Sequence, residues 1–431
     1  GNFLIISYRE LRRLEMDVLD SLYKNQMILD ESHLHIDHFY GIEINEFASM
    51  VANLSMILMD HLMNLEMRNR FGRCRDVIPL KEKANIVCEN SLRIDWNDIV
   101  NRNQLSYIVG NPPFIGHQNR DQEQCDDMNL IFINESKSGK LDYVTAWFKK
   151  SAEFMKNTHI HAALVSTNSI VQGESVGILW KELNEMGIKI SFAYRTFVWK
   201  NEAKFNAAVH CVIIGFSYDD MKDKWIITNE NKTKATNING YLIDGPNIYV
   251  QSRSKPINDL PRIIKGSQPT DGGNLFLSSS EREEMISRYP QSEKFIKRFI
   301  GAEEFINGEM RYCLWLKDVD PEEYRNIPEI RERLNRITEI RKKSPTRSVQ
   351  KDAETPYLFT QIRQPNVDYL VIPRHSSGAR HYIPFGFMDK DVIAGDATSI
   401  IPTDDLVVFG IISSHLHQVW LDTVGGKLKS D

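Results

Sequence analysis

Four consecutive residues carry the most specific chemistry in the chain: Asn111-Pro112-Pro113-Phe114. The two prolines fix φ and remove two backbone donors, so Asn111 and the neighbouring carbonyls are held stiffly and left free to accept hydrogen bonds. Phe114 adds an aromatic face beside them. A fixed amide oxygen, a spare carbonyl and a flat ring suit a planar substrate that carries an exocyclic amino group. The tetrapeptide follows Leu105-Ser106-Tyr107-Ile108-Val109-Gly110, which reads as a buried strand. Ile and Val favour a covered, pleated environment, and Gly110 punctuates the end. A rigid polar turn at the carboxyl end of a parallel strand lies where open α/β sheets bind ligands.

A strand that ends in Asn-Pro-Pro-Phe resembles the catalytic motif of the amino-methyltransferases that use S-adenosylmethionine. The motif alone leaves three acceptors open: adenine in DNA, guanine in ribosomal RNA, and glutamine in protein.

The elements that must position this motif alternate between helix and strand. Leu4, Ile5, Tyr8, Leu11, Leu14, Val18 and Leu22 recur at helical spacing and predict an opening helix. Folds that bind dinucleotides or S-adenosylmethionine place a glycine-rich turn between their first strand and such a helix. Here the strand is missing. Gly1-Asn2-Phe3-Leu4 reads as the tail of the cofactor loop, with Gly1 its last glycine and Asn2 and Phe3 beside the cofactor. The chain is therefore expected to open inside that loop.

His38 to Ile44 is the next expected strand, and a long apolar helix follows from about Glu46 to Glu66. Glu43 near the strand's tip offers two acceptors to a ribose diol. The competing role for Glu43 is a charge stabilised by the helix dipole. Ile86 to Leu92 reads as the third strand and its tip. Asn90 there could bond the adenine amino group of a cofactor while Leu92 packs on its ring, with Asp95 as a rival. Asn111 borders the same cofactor.

Beyond the motif, the polar stretch from Gly116 to Lys140 reads as a mobile loop over the site. A helix over Leu141 to Met155, a strand over Ala162 to Asn168 and a helix over about Ser175 to Met186 continue the alternation. A strand pair, Ile188 to Val198 and Ala207 to Phe216, closes it. The pattern predicts an α/β fold with a mostly parallel sheet. Phe197, Trp199 and Phe205 cluster at the hairpin. Phe197, at a strand end, is the favoured ring to stack on an extruded base.

From Asp219 to about Ile263 the periodicity breaks, which marks a boundary. Ser280-Glu281-Arg282-Glu283 has capping-box spacing, and helical periodicity runs on to Phe299. Ile327 to Arg341 is a second helix. Tyr369 to Pro373, Tyr382 to Phe385 and Val392 to Ala394 read as strands, and Val408 to Leu421 as a final helix.

The 431 residues suffice for two or three domains. No apolar run reaches membrane length. The five cysteines are scattered with no C-x-x-C pair, which argues against zinc or disulfides and fits a reducing cytoplasm. With no Pro-Cys pair, a cysteine nucleophile of the cytosine-C5 methyltransferase kind has no candidate. The net charge of −5 hides a local excess. Arg341, Lys342, Lys343, Arg347, Lys351, Arg363, Arg374 and Arg380 face only Asp352, Glu354 and Asp368 over the same stretch. Such a run is either a phosphate footprint or a solvated face.

Over nearly its whole length the chain resembles the large single-chain restriction–modification proteins of the MmeI-like (type IIL) kind. The resemblance rests on Gly1 to Leu4, Phe39 to Asn45, Asn111 to Gly116, Arg195 to Trp199 through Val209 to Phe216, Ile372 to Arg374, Tyr382 to Pro384 and Phe409 to Ser414. It implies a gamma-type N6-adenine DNA methyltransferase followed by a target-recognition domain. The implied catalytic fold is a Rossmann-like, class I, seven-stranded mostly parallel sheet whose first strand is missing here. The resemblance divides the chain into a methyltransferase domain (1–250), an α+β target-recognition domain (251–405) and a helical segment (406–431). It implies double-stranded DNA as partner and S-adenosylmethionine as cofactor, with no metal. The family's nuclease lies before the methyltransferase; nothing in this sequence looks like it.

In the implied mechanism Asn111 and the carbonyl of Pro112 accept the N6 hydrogens of a flipped adenine, and Phe114 and Phe197 sandwich its ring. Lys342, Lys343 and Arg347 suit phosphates. Arg374 and Arg380 flank a loop where a guanidinium could fork onto a guanine edge, with Ser376 between them and Arg363 nearby.

Overall fold

The computed structural model describes residues 1–23, 32–72, 83–133, 137–199, 209–377 and 380–426. The chain divides into two compact units, 1–251 and 252–423, with 424–426 grouped with the first. Among the described residues no helix is long and apolar enough to cross a membrane.

In the first unit, helix α1 (Asn2–Leu22) lies along α2 (Glu46–Phe71). Asn45 caps α2 by accepting from Ala48 N, and Gly72 ends it in the left-handed region at φ 74°. Between the helices sits a buried polar knot. Tyr8 Oη donates to Asp60 (2.5 Å), and Arg12 donates to Tyr8 Oη (2.8 Å) and Asn64 Oδ1 (3.0 Å). These bonds pair specific positions on the two helices, so the knot fixes which faces meet.

Strands β1 (Tyr40–Glu43) and β2 (Asn85–Cys88) pair in parallel, with Glu43 opposite Cys88. The main sheet has the order β3-β4-β6-β5-β7-β8. Its members are β3 (Tyr107–Gly110), β4 (His161–Thr167), β5 (Lys189–Trp199), β6 (Val209–Ser217), β7 (Lys224–Ile227) and β8 (Lys232–Ala235). β3 and β4 are parallel, as are β5 and β7; the β4–β6, β6–β5 and β7–β8 pairs are antiparallel. The described residues thus form a two-stranded and a six-stranded mixed sheet, not the expected seven-stranded, mostly parallel one. The β5–β6 hairpin is the physical reason. Its return strand β6 inserts between β4 and β5 and pairs antiparallel with both. The main core is apolar, with Phe148, Leu164, Leu179, Ile214 and Phe216 all at most 2% exposed.

The second unit holds two four-stranded sheets, one centred on Ile296–Ile300 and Arg311–Leu314, the other on Tyr369–Pro373 and Thr398–Ile401. Three expectations change here. The helix starts at Ser279 after an Ser278–Glu281 capping box and stops at Arg288; Ile296–Ile300 is a strand. The strand expected at Tyr382 to Phe385 lies instead at Gly386–Met388. The last helix is broken into Leu406–Ile412 and His415–Val424. Arg341 is fully buried at the end of helix Pro328–Lys342 and donates to five carbonyls, those of Pro269, Thr270, Asp352, Thr355 and Leu358, at 2.7–3.0 Å. It belongs to the scaffold and leaves the basic run with seven members.

Candidate active site

β3 and β4 are in register with Gly110 opposite Leu164, so Asn111 leaves the sheet short of the end of β4 at Thr167. Pro112 is buried and Asn111 exposed, while Phe114 is half-buried against the main core. The side-chain amide of Asn111 has no hydrogen bond to another described residue. The turn therefore seats its proline inside and presents its amide outward.

Neither proline has an N–H. Beyond them, Ile115 N donates to Asp142 Oδ1 (3.1 Å) and Ile115 O accepts from Tyr143 N (3.0 Å). Asp142 Oδ2 accepts from the hydroxyls of Thr167 (3.2 Å) and Ser169 (3.4 Å). One carboxylate thus ties the motif to the tip of β4.

The parallel register places the tips of β1 and β2 at one level. Glu43 Oε1 accepts from Asn45 N (3.1 Å). Its other oxygen has no hydrogen bond from a described residue, and the cap of α2 is made by Asn45. Asn90 departs from expectation. Its Nδ2 donates to Asp127 (3.1 Å) and its Oδ1 accepts from Leu92 N (2.9 Å), so both ends of the amide close the local turn. Leu92 is 1% exposed and packs into the main core, because an apolar side chain on a short loop gains more from burial than from an open site. Its expected role against a cofactor ring does not fit this placement. Asp95 accepts from Asn97 N and Nδ2, and these bonds hold its carboxyl below the usual range.

The stretch expected to be a mobile loop contains helix α3 (Gln122–Ile131), started by an Asp121–Gln124 capping box. Asp127 on α3 is 2% exposed. It accepts from Asn90, from Arg93 Nε (2.5 Å) and from Tyr143 Oη (2.6 Å). Burial alone would raise its pKa; the bonds from Tyr143, Arg93 and Asn90 outweigh that and hold it below the usual carboxylate range. Helix α4 (Thr145–Phe154) adds Trp147 Nε1, which donates to Ser91 Oγ (2.8 Å). It also supplies Lys150 Nζ, which donates to the carbonyls of Leu92 and Ile94 (both 2.7 Å). Desolvation lowers the Lys150 pKa. Asn90, Asp127, Tyr143 and Ile115 form one continuous path from the β2 tip to the motif. Sequence reasoning missed Asp127, Asp142 and Lys150, since the partners that matter lie 16–58 residues away. The only local signal was the polar Leu-Asp-Tyr turn before α4.

At the other side of the sheet, Phe197 pairs with Cys211, which itself lies opposite Thr167. It is thus level with the end of β4 and three strand spacings from β3, about 14 Å. Its ring meets Tyr194 edge-on (5.2 Å) and Trp199 (6.1 Å). Trp199 ends β5, and Phe205 lies outside the described residues. Gly1 sits against α2, where a Cβ would come within 3.1 Å of Ala52 Cβ; Asn2 and Phe3 are exposed.

In the second unit Lys342, Lys343 and Arg347 are exposed, and Lys342 pairs with Glu339 (3.1 Å). Arg374 and Arg380 are exposed too; one Arg374 nitrogen reaches Asp396 O at 3.4 Å. Two expected DNA contacts are only half-exposed. Arg363 donates to Gly266 O (3.2 Å) and to Gln361, and Ser376 Oγ is buried without a partner.

β3 thus ends in an exposed asparagine followed by a buried proline, an exposed proline and a half-buried phenylalanine, in the same unit as the strand tip that carries Glu43. Residues 1–228 match the DNA-methyltransferase domain of MmeI, and residues 244–431 match the MmeI target recognition domain. The chain belongs to the MmeI-type restriction–modification family. It is 41% identical over 440 residues to DNA methyltransferase A of Bacillus subtilis (strain 168), a match covering 100% of this chain and 50% of that protein. It is 44% identical to the type IIL restriction–modification enzyme MmeI, solved in complex with DNA. That match has a TM-score of 0.87 and covers 100% of this chain and 59% of that one. The chain thus spans about half the length of the curated relative it matches.

Proposed function

We propose that this chain is the adenine-N6 DNA methyltransferase and DNA-reading part of a restriction–modification protein. The observation that carries the reading is the exposed Asn111, whose amide has no hydrogen bond to a described residue, beside the carbonyl of the buried Pro112 and the half-buried Phe114. An adenine N6 lies inside the duplex stack, so the base swings out to reach this turn. Asn111 Oδ1 and Pro112 O accept the two amino hydrogens. This draws electron density toward nitrogen and stabilises the positive charge that develops there during transfer. Phe114 supports one face of the ring, and Phe197 closes on the other.

The residues fit S-adenosylmethionine in part. Glu43 has a free carboxylate oxygen for a ribose diol, and the segment 90–96 is held rigidly by α3 and α4. When bound, S-adenosylmethionine supplies a methyl group on sulfur, which departs as a neutral thioether as the new C–N bond forms. The chain's own work is to extract the amine, orient its lone pair, exclude water and let the released proton pass to solvent.

Tritiated methyl transfer to DNA, RNA and protein acceptors tests the reading, with the modified base identified by mass spectrometry. N6-methyladenine in DNA at a short asymmetric site is the expected product. Label in ribosomal RNA or in protein glutamine would replace the reading with a different acceptor, and cofactor binding without transfer to any acceptor would leave a DNA-specificity module.

A further inference from the structure

The proline pair that stiffens the motif also removes the backbone donors by which a turn is usually held. Something else must fix its orientation relative to the sheet. The described residues supply one carboxylate for this. Asp142 takes Ile115 N on one oxygen and the hydroxyls of Thr167 and Ser169 on the other, while the adjoining Tyr143 N donates to Ile115 O. Thr167 ends β4, the parallel neighbour of the strand that carries the motif. Asp142 also accepts from Val144 N (3.3 Å), and Thr167 Oγ1 lies 2.5 Å from Ser169 Oγ, so the two hydroxyl protons are shared between each other and the carboxylate.

We infer that Asp142 is the positioning residue of the Asn111-Pro112-Pro113-Phe114 turn, resting on the methyltransferase reading above. It acts through its bonds to Ile115 N and to the two hydroxyls. It sets the turn at a fixed height against the tip of β4, and so sets where the Asn111 amide meets the amino group. The Thr167 and Ser169 hydroxyls are its far anchor.

The role makes two kinds of loss separable. Without Asp142 the sheet keeps its ladders and both units keep their cores, but the turn can tilt. A misplacement of about 1 Å at a reacting centre costs on the order of 100-fold in rate. In Asp142→Ala, amide hydrogen exchange of the peptide spanning 111–118 should accelerate about tenfold, the equivalent of one lost hydrogen bond. Peptides from β5 and β6 should exchange as before. In methyl transfer the same variant should lose kcat by about 100-fold, with KM for S-adenosylmethionine and Kd for DNA within about threefold of the parent. Asp142→Asn keeps an oxygen for Ile115 N and can donate its new N–H groups to the two hydroxyls. It should restore both exchange and kcat to within about threefold.

Unchanged exchange at 111–118 in Asp142→Ala would overturn the inference. So would a kcat loss matched by equal losses in KM, Kd and melting temperature, or an asparagine variant as impaired as alanine. Absence of methyl transfer by the unsubstituted protein would sink the functional reading instead, and the exchange result would still decide whether Asp142 holds the turn.

Discussion

Replacing Asp127 with alanine removes the junction between α3 and the tip of β2. The carboxylate is almost fully buried and takes hydrogen bonds from three donors on two segments, Asn90 and Arg93 on one and Tyr143 on the other. Arg93 is nearly half exposed, so water recovers most of what it loses and its share is small. Tyr143 is 6% exposed, and its hydroxyl would be left without an acceptor. The net cost should be about 2–4 kcal/mol. For a unit of this size that corresponds to a melting temperature lower by roughly 5–15 °C. The sign with pH is fixed by the depressed carboxyl pKa. The contribution is fully present above the unfolded pKa of about 3.9 and is lost as pH falls through the lower folded value. The deficit of Asp127→Ala should therefore stay constant from neutral pH down to about 5 and shrink only below about 4. Thermal unfolding of parent and variant across that range is the assay, with Tyr143→Phe and the double variant to isolate the pair. A deficit under about 1 kcal/mol at neutral pH, or strict additivity with Tyr143→Phe, would refute the assigned junction.

Three further outcomes follow from the same geometry. Glu43→Ala should weaken S-adenosylmethionine about 5- to 150-fold, the range for losing hydrogen bonds to a charged acceptor; calorimetry with unchanged affinity would move the ribose contact elsewhere. Arg341→Met should destabilise the second unit by about 3–5 kcal/mol, because five part-buried carbonyls lose the donor they share, and a variant that melts like the parent would contradict the scaffold role. Lys343→Ala should weaken all DNA sequences alike and reduce the salt slope by about one. Arg380→Ala should instead relax preference at one base pair, at a cost of about 1–3 kcal/mol, and an unchanged site preference across a randomised library would remove Arg380 from base reading.

Some of this architecture is legible in the residues alone. The prolines and the preceding apolar run mark the motif as a rigid turn at a strand end, and β1, β2, β4 and the β5–β6 hairpin follow from short apolar runs. The helix register in the second unit was ambiguous for a simple reason. Ser278 to Ser280 with Glu281 and Glu283 offers the capping-box spacing in two frames, and the structure uses the earlier one. Phe295, Ile296, Phe299 and Ile300 are all buried, and that spacing suits a helix as well as a strand covered on both faces. Charge density misled at Arg341 and Arg363. A count of cations says nothing about direction, and a guanidinium satisfied by carbonyls reads the same as one facing phosphate. Asn90 and Leu92 were placed at the right tip, but which way each side chain turns depends on Asp127 and on the core, neither of which is local.

If the Asn111 amide draws out the amino hydrogens at the strand tip, its loss should separate transfer from DNA binding. The direct measurement is methyl transfer and DNA affinity on the same Asn111→Ala protein. Transfer to adenine should be abolished while DNA binding stays within about threefold, as expected of a residue that acts on the amino group during transfer and not on the duplex. An alanine variant that still methylates adenine at the parental rate would contradict that role.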